Sequence, residues 1–147
     1  MVTKAFSIED GNLATRSLVT TRKRLYKDLD LTFNNRPSGD VYKKEDAAAV
    51  KQAVKNLLLT NNNEKPFQPR FGANLRNLLF ELADDQLADS IDIAIRNAIQ
   101  TYEPRAKVKT IRTNVSPDNN SVSVYVEFLV INTAEEVTLE VSITRLR

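Results

Sequence analysis

The fold is decided near the C-terminus by the stretch SVSVYVEFLVI at residues 121–131. Apolar and polar residues alternate through most of it, and successive side chains of a β-strand point to opposite faces. The stretch therefore predicts a strand with one buried face. That face would carry Val122, Val124, Val126, Phe128 and Val130.

A second alternating stretch follows a turn at residues 132–136. Its apolar positions are Val137, Leu139, Val141 and Ile143. Two alternating stretches joined by a short turn predict an antiparallel pair whose apolar face must be covered by another layer. We expect the last strand, Val137 to Arg145, to lie at or near an edge of the sheet.

Helices predicted before these strands would form the covering layer. One helix is predicted over Glu45–Leu59, and a longer one over Asp84–Tyr102, with a short helix after Asn74 between them. The first helix would bury Ala47, Val50, Val54, Leu57 and Leu58, and would expose Lys51, Gln52 and Lys55. Further strands are predicted at Leu29–Phe33 and Val108–Val115. The predicted class is α+β: residues 25–147 form one domain, an antiparallel sheet packed by two to three helices.

Composition excludes several kinds of chemistry. The chain of 147 residues contains no cysteine and no histidine. Disulfides, thiolate metal sites and hydrolases of the serine–histidine or cysteine–histidine type are therefore impossible in this chain alone. The N-terminus lacks the apolar core of a signal peptide, and no stretch is apolar enough to span a membrane, so we expect the protein to remain where it is made.

Basic residues are in surplus near the N-terminus, although the net charge of the chain is only +2. No acidic residue lies among residues 11–27, which contain Arg16, Arg22, Lys23, Arg24 and Lys27. Residues 1–24 show no periodicity and are expected to be a disordered extension. They are either a solvated segment or an arm that docks on an acidic partner or on phosphates.

No convincing active site is found. Asp84, Asp85, Asp89 and Asp92 fall on the predicted solvent side of a helix, and Glu81 is the single acid in an apolar neighbourhood. Neither a phosphate-binding glycine loop nor a calcium-binding loop is present. We therefore expect the protein to act by association.

Two local features could serve association. The loop EKPFQPRFG at residues 64–72 contains Pro66, Phe67, Pro69, Phe71 and Gly72. Its prolines fix an extended backbone, so its phenylalanines either plug the core or form a rigid platform for a partner.

The second feature is the corner where Pro104 ends the long helix. Glu103 and Arg105 flank this proline. They either bind carboxylates or backbone oxygens of a partner, or form an internal salt bridge.

Several short motifs occur in a characteristic order: NLLLT at residues 56–60, the loop at 64–72, LLFE at 78–81, and YEPR at 102–105. In this order they resemble the tail sheath initiator family, the small baseplate wedge proteins of contractile-tailed bacteriophages. This family is also called the gene-25-like lysozyme family and has counterparts in type VI secretion baseplates. The resemblance covers about residues 45–147, and residues 28–33 resemble the family's N-terminal strand. Asn63 and Arg70 depart from it, since the family usually has glycine and an acid there.

The resemblance implies a structural role in the virion, at the tail baseplate, after assembly in the host cytoplasm. It implies a fold like the interlocking part of a sheath subunit. Glu103, Pro104 and Arg105 would bind the wedge core bundle, and the strand with Val137, Leu139, Val141 and Ile143 would template the tail sheath by strand addition, near the tail tube. No enzyme activity, cofactor, metal, membrane or specific nucleic acid is implied. Two alternatives remain: a lysozyme-like peptidoglycan hydrolase, and an adaptor that docks through the basic arm.

Overall fold

The computed structural model describes residues 26–34, 37, 39–80, 85–116 and 121–144. The predicted extension at residues 1–24 lies outside these ranges, as do Glu81 and Asp84. No helix within the described ranges combines the length and the hydropathy needed to cross a membrane.

In the described part of the chain, the elements follow one another as two short strands, three helices and three long strands. They are β1 (Lys27–Leu29), β2 (Lys43–Glu45), α1 (Ala47–Leu59), α2 (Leu75–Leu78), α3 (Asp85–Tyr102), β3 (Ala106–Ser116), β4 (Ser121–Val130) and β5 (Glu135–Thr144). β1 pairs with β2, and β3, β4 and β5 form an antiparallel meander in that order. The predicted α+β fold with a C-terminal meander is confirmed.

The core lies between the meander and the helices. β4 buries every second side chain, and Phe128 near its C-terminal end is fully buried. Burial of a side chain of this size stabilises the folded state by about 1.5–3 kcal/mol. The helices contribute Val50, Val54, Leu57, Leu58, Leu87, Ile91, Ile95, Ala98 and Ile99. The alternation and the helical periodicity thus predict the two layers of the core.

A β-bulge interrupts β3 and explains its imperfect alternation. Val108 pairs with Phe128 and Thr110 pairs with Glu127, so Lys109 is an extra residue in the strand. An extra residue reverses the parity of the side chains that follow it. Ala106 and Val108 accordingly pack inward before the bulge, and Ile111 and Val115 pack inward after it.

Gln52 was predicted on the solvent side of α1, and this is wrong. The side chain is 8% exposed, and its amide donates to the carbonyl oxygen of Leu29 at 2.8 Å. Its carbonyl oxygen also accepts the N–H of Leu31 at 3.4 Å. The segment after β1 crosses this side of the helix and supplies backbone partners for a buried amide.

The predicted half-buried strand Leu29–Phe33 is also wrong. β1 ends at Leu29, and Leu31 and Phe33 are 47% and 63% exposed. The carboxylate of Asp30 accepts the N–H of Thr32 at 3.1 Å, and the carbonyl oxygen of Asp30 accepts the N–H of Phe33 at 3.1 Å. Such aspartate turns end a strand despite apolar alternation.

The first helix begins two residues later than predicted. Glu45 belongs to β2, and Asp46 precedes the helix with a φ of 47°. Pairing with β1 therefore takes the place of the first helical turn.

Candidate interaction surfaces

β5 lies at an edge of the three-stranded sheet, as the sequence predicted. β4 occupies the centre, and within the described ranges β5 pairs with β4 alone. An edge strand presents unpaired N–H and C=O groups.

One hydrogen bond identifies which backbone groups these are. The N–H of Ile131 donates to the carbonyl oxygen of Arg105 at 3.0 Å, one step beyond the Ala106–Val130 pair. Because hydrogen-bonded and non-hydrogen-bonded pairs alternate in an antiparallel ladder, odd-numbered residues of β4 bond to β3. Even-numbered residues of β4 consequently bond to β5, where their partners are odd-numbered.

The outward backbone groups of β5 therefore belong to its even-numbered residues. The odd-numbered residues bond to β4 and turn their side chains toward the core. They are the residues predicted for the templating strand: Val137, Leu139, Val141 and Ile143. The even-numbered residues Glu136, Thr138, Glu140, Ser142 and Thr144 have exposed side chains. The two-residue period of the sequence predicts these outward side chains, and the register of the ladder assigns the outward backbone groups.

In the part of the chain that the structure describes, β5 borders at least two grooves. One of about 630 Å³ lies beside Leu139 and Glu140, with residues 48–56 of α1 and the turn at 30–32 as its walls. The other, of about 330 Å³, lies beside residues 142–144 and reaches Leu59 and Arg76. Among the described residues, the edge of β5 thus borders these two grooves and no further strand.

At the corner after α3, Glu103 and Arg105 bind each other. Glu103 is 6% exposed, and its carboxylate accepts the Nη2 of Arg105 at 2.6 Å and also its Nε. The hydrogen bond to this carboxylate raises the pKa of Arg105 above its usual value, and the guanidinium lies 5.1 Å from the ring centre of Tyr26. The internal salt bridge, one of the two interpretations of this motif, is therefore present.

The corner is nevertheless partly accessible. Pro104 is exposed, and the side chain of Arg105 is 36% exposed. The backbone is fixed because the N–H of Glu103 donates to Ile99 at 2.9 Å and the N–H of Ala106 donates to Glu103 at 3.0 Å. The buried carboxylate thus holds a half-exposed guanidinium on a rigid turn.

The loop after α1 is held by its own polar groups. The carboxylate of Glu64 accepts the backbone N–H of Asn61 at 2.8 Å and its side-chain N–H at 2.9 Å, which lowers the pKa of Glu64. The N–H of Asn63 donates to Pro69 at 2.8 Å. Gly72 has a φ of 116°, and a Cβ there would lie 2.3 Å from the carbonyl oxygen of Thr60, so the position requires glycine.

The two phenylalanines of this loop have different environments. Phe71 is half-buried, 5.1 Å from the ring of Tyr102 and with the Nζ of Lys65 4.0 Å from its own ring centre. Phe67 is fully exposed, and its neighbours Pro66 and Pro69 are also on the surface. The core-plug interpretation is therefore wrong for Phe67 but agrees with the packing of Phe71.

The described residues contain no cluster of three or more acids, histidines or cysteines suited to a metal ion. Asp92 pairs with Arg96 at 3.2 Å along α3. The candidate interaction surfaces are therefore the edge strand β5, the corner at residues 103–105 and the loop at residues 64–72.

Comparison with known proteins identifies the family. Residues 44–135 match the family described as baseplate wedge protein gp25. The chain belongs to the gp25 baseplate wedge family. The resemblance seen in the sequence motifs is confirmed.

A relative in this family is baseplate wedge protein gp25 of Enterobacteria phage T4. The two are 28% identical over 116 residues, which cover 78% of this chain and 86% of the T4 protein.

Solved structures share the fold. A chain of the anti-feeding prophage baseplate has a TM-score of 0.65 at 20% identity, covering 72% of this chain and 86% of that one. A chain of the postcontracted pyocin R2 baseplate has a TM-score of 0.52 at 17% identity, with coverages of 82% and 99%. A Geobacter sulfurreducens protein provisionally named a tail lysozyme has a TM-score of 0.60 at 16% identity, with coverages of 67% and 89%.

Proposed function

We propose that this protein is a non-enzymatic component of a contractile-tail baseplate that templates the first ring of tail sheath by adding a strand at β5. Family membership supports the baseplate role. The open edge of β5 supports the templating role, because strand addition needs unpaired backbone donors and acceptors. Thr138, Glu140 and Ser142 offer them, and their polar side chains keep the free edge hydrated.

The corner and the loop are proposed to bind the wedge core bundle. Arg105 offers a partly exposed guanidinium whose orientation is fixed by Glu103. Phe67 offers an apolar side chain on a rigid loop, and exposed aromatic anchors of this kind dominate the energetics of many interfaces. Both features lie outside the sheet edge, so the protein could join two partners at once.

The templating role is tested by removing a single outward N–H. Ser142→Pro removes that donor without removing a bond to β4, since proline is tolerated at outward positions of edge strands. We expect the variant to fold and to enter baseplates, but these baseplates should carry few extended sheaths when mixed with sheath protein.

Two further variants make the test specific. Ser142→Ala keeps the amide and should support normal sheath numbers, whereas Thr138→Pro removes a second outward donor and should behave like Ser142→Pro. Normal sheath numbers with both folded proline variants would exclude β5 as the template.

A hydrolase role is not proposed. The Geobacter protein shares the fold at low identity, and a shared fold does not transfer an activity. Incubation of the protein with purified peptidoglycan should leave its turbidity unchanged, and a decrease would contradict the proposal.

A further inference from the structure

The groove between β5 and α1 constrains which side chains a partner strand can place there. We infer that the segment that pairs with β5 bears acidic side chains on the face that it turns toward α1. This inference rests on the proposed strand addition and specifies the chemistry of the partner.

The geometry of strand addition places those side chains in the groove. A strand added to β5 would lie about 4.8 Å from it, with alternate side chains on the same face of the sheet as Leu139. That face is the one that α1 covers, and the groove of about 630 Å³ extends from Leu139 to Ala48, Lys51 and Lys55 on this helix. Incoming side chains that lie on this face beside Leu139 would therefore meet the flank of α1.

This flank is positively charged. Lys51 and Lys55 are exposed and lie one helical turn apart, and neither forms an ion pair within the described ranges. Like charges at this spacing repel each other weakly, so an acidic ligand would relieve an unfavourable interaction.

The acids around the groove do not neutralise these lysines. The carboxylate of Asp30 accepts the N–H of Thr32 and lies 3.2 Å from the Nζ of Lys44, and these contacts lower its pKa. Glu140 extends to the outer face of the sheet, where its carboxylate accepts a hydrogen bond from the hydroxyl of Tyr125, and this raises the pKa of the tyrosine. Among the described residues, the flank of α1 thus keeps two cations without an ion-pair partner.

Spacing favours an extended acidic peptide. Residues i and i+2 of a strand are about 6.6–6.8 Å apart and point to the same face, close to the separation of Lys51 and Lys55 along the helix. Residues 11–24 of this chain are a poor occupant, because they contain no acid and carry most of the basic run. A nucleic acid could neutralise the lysines but would leave the backbone groups of β5 without a peptide partner.

The first test uses two fluorescent nine-residue peptides. One alternates glutamate with threonine, and the other has glutamine in place of glutamate. In fluorescence anisotropy at low salt, we expect the full-length protein to bind the glutamate peptide about three- to tenfold more tightly. Added NaCl should reduce the difference, because exposed charges are screened.

Variants locate the effect. Lys51→Glu combined with Lys55→Glu should abolish the preference for glutamate, whereas Lys107→Glu on the distant strand β3 should keep it. Equal binding of both peptides, no binding of either, or a preference that survives the double variant would overturn the inference. So would tighter binding of a single-stranded oligonucleotide than of the glutamate peptide with the same lysine dependence.

Sheath assembly separates this inference from the proposed function. If Ser142→Pro abolishes sheath formation and the folded double lysine variant also reduces it at low salt, both ideas are supported. If Ser142→Pro abolishes sheaths but the double variant forms them normally, only the acidic partner is excluded. Normal sheaths with Ser142→Pro would exclude templating at β5 itself.

Discussion

Glu103 and Arg105 form a salt bridge in which the carboxylate is buried and the guanidinium is half-exposed. Arg105→Ala would leave the carboxylate without its partner, and an unsatisfied buried group costs about 1–3 kcal/mol. We expect a lower midpoint of thermal unfolding, measured by circular dichroism, together with weaker association with wedge proteins.

A double variant separates stability from binding. Glu103→Leu with Arg105→Met replaces both partners by apolar groups and should recover much of the stability. If the stable double variant still binds wedge proteins normally, the salt bridge has no role beyond the fold.

Phe67 and Phe71 differ in what surrounds them, and their variants should differ accordingly. Phe67→Ala removes a side chain that contacts solvent, so stability should change by less than about 0.5 kcal/mol while wedge association weakens. Phe71→Ala removes the ring that packs on Tyr102 and should instead destabilise the fold. Chemical denaturation and pull-down of wedge proteins measure the two effects. Unchanged association after Phe67→Ala would contradict the anchoring role.

The loop should depend on pH through Glu64. Hydrogen bonds from Asn61 lower the pKa of this carboxyl below its ordinary value of 4.5. A lowered pKa stabilises the folded loop above that ordinary value, and the stabilisation is lost as the pH falls through the lowered one. The backbone amide resonance of Asn61 should therefore shift on acidification below pH 4.5, and Glu64→Gln should remove the shift. Persistence of the shift in Glu64→Gln would assign it to another group.

At the scale of elements, the bulge in β3 decides which side chains reach the core. Deletion of Lys109 would remove the extra residue and leave Ala106, Val108, Ile111 and Val115 on the inner face. We expect this variant to unfold cooperatively in denaturant. Deletion of Asn114 should be far more damaging, because it either turns Val115 outward or shifts Arg112 inward. Equal damage from both deletions would show that the bulge itself is required for folding.

Some elements could be predicted from the sequence, and others could not. The hairpin of β4 and β5 is evident because its alternation is local and uninterrupted. The burial of Gln52 could not be predicted, since its hydrogen-bond partner Leu29 lies 23 residues away. No pattern in the sequence around Gln52 indicates that the segment after β1 crosses α1. Phe67 and Phe71 are equally apolar in sequence, so only the folded loop distinguishes the exposed ring from the packed one.

At the scale of the whole molecule, the two edges of the sheet are unequal. β3 carries the bulge and exposed Lys107, Lys109 and Arg112, which are devices that discourage edge pairing. β5 runs without a bulge through its ladder with β4. Strand addition should therefore occur on one side of the molecule.

This asymmetry predicts how deletion of Lys109 affects association. Without the bulge, β3 becomes a second regular edge, so the variant should form dimers at high concentration in analytical ultracentrifugation. The wild-type protein should sediment as a monomer under the same conditions. A variant that folds and remains monomeric would show that the bulge does not protect this edge.

The alternation along β5 also bears on how such a protein can evolve. Odd-numbered positions are constrained by the core of their own chain, and even-numbered positions by whatever pairs with the edge. A lineage could therefore follow the drift of its partner through substitutions at even-numbered positions while its own fold stays unchanged. Alternate residues of a single strand would then determine separately how well the protein fits its partner and how stable its own fold is.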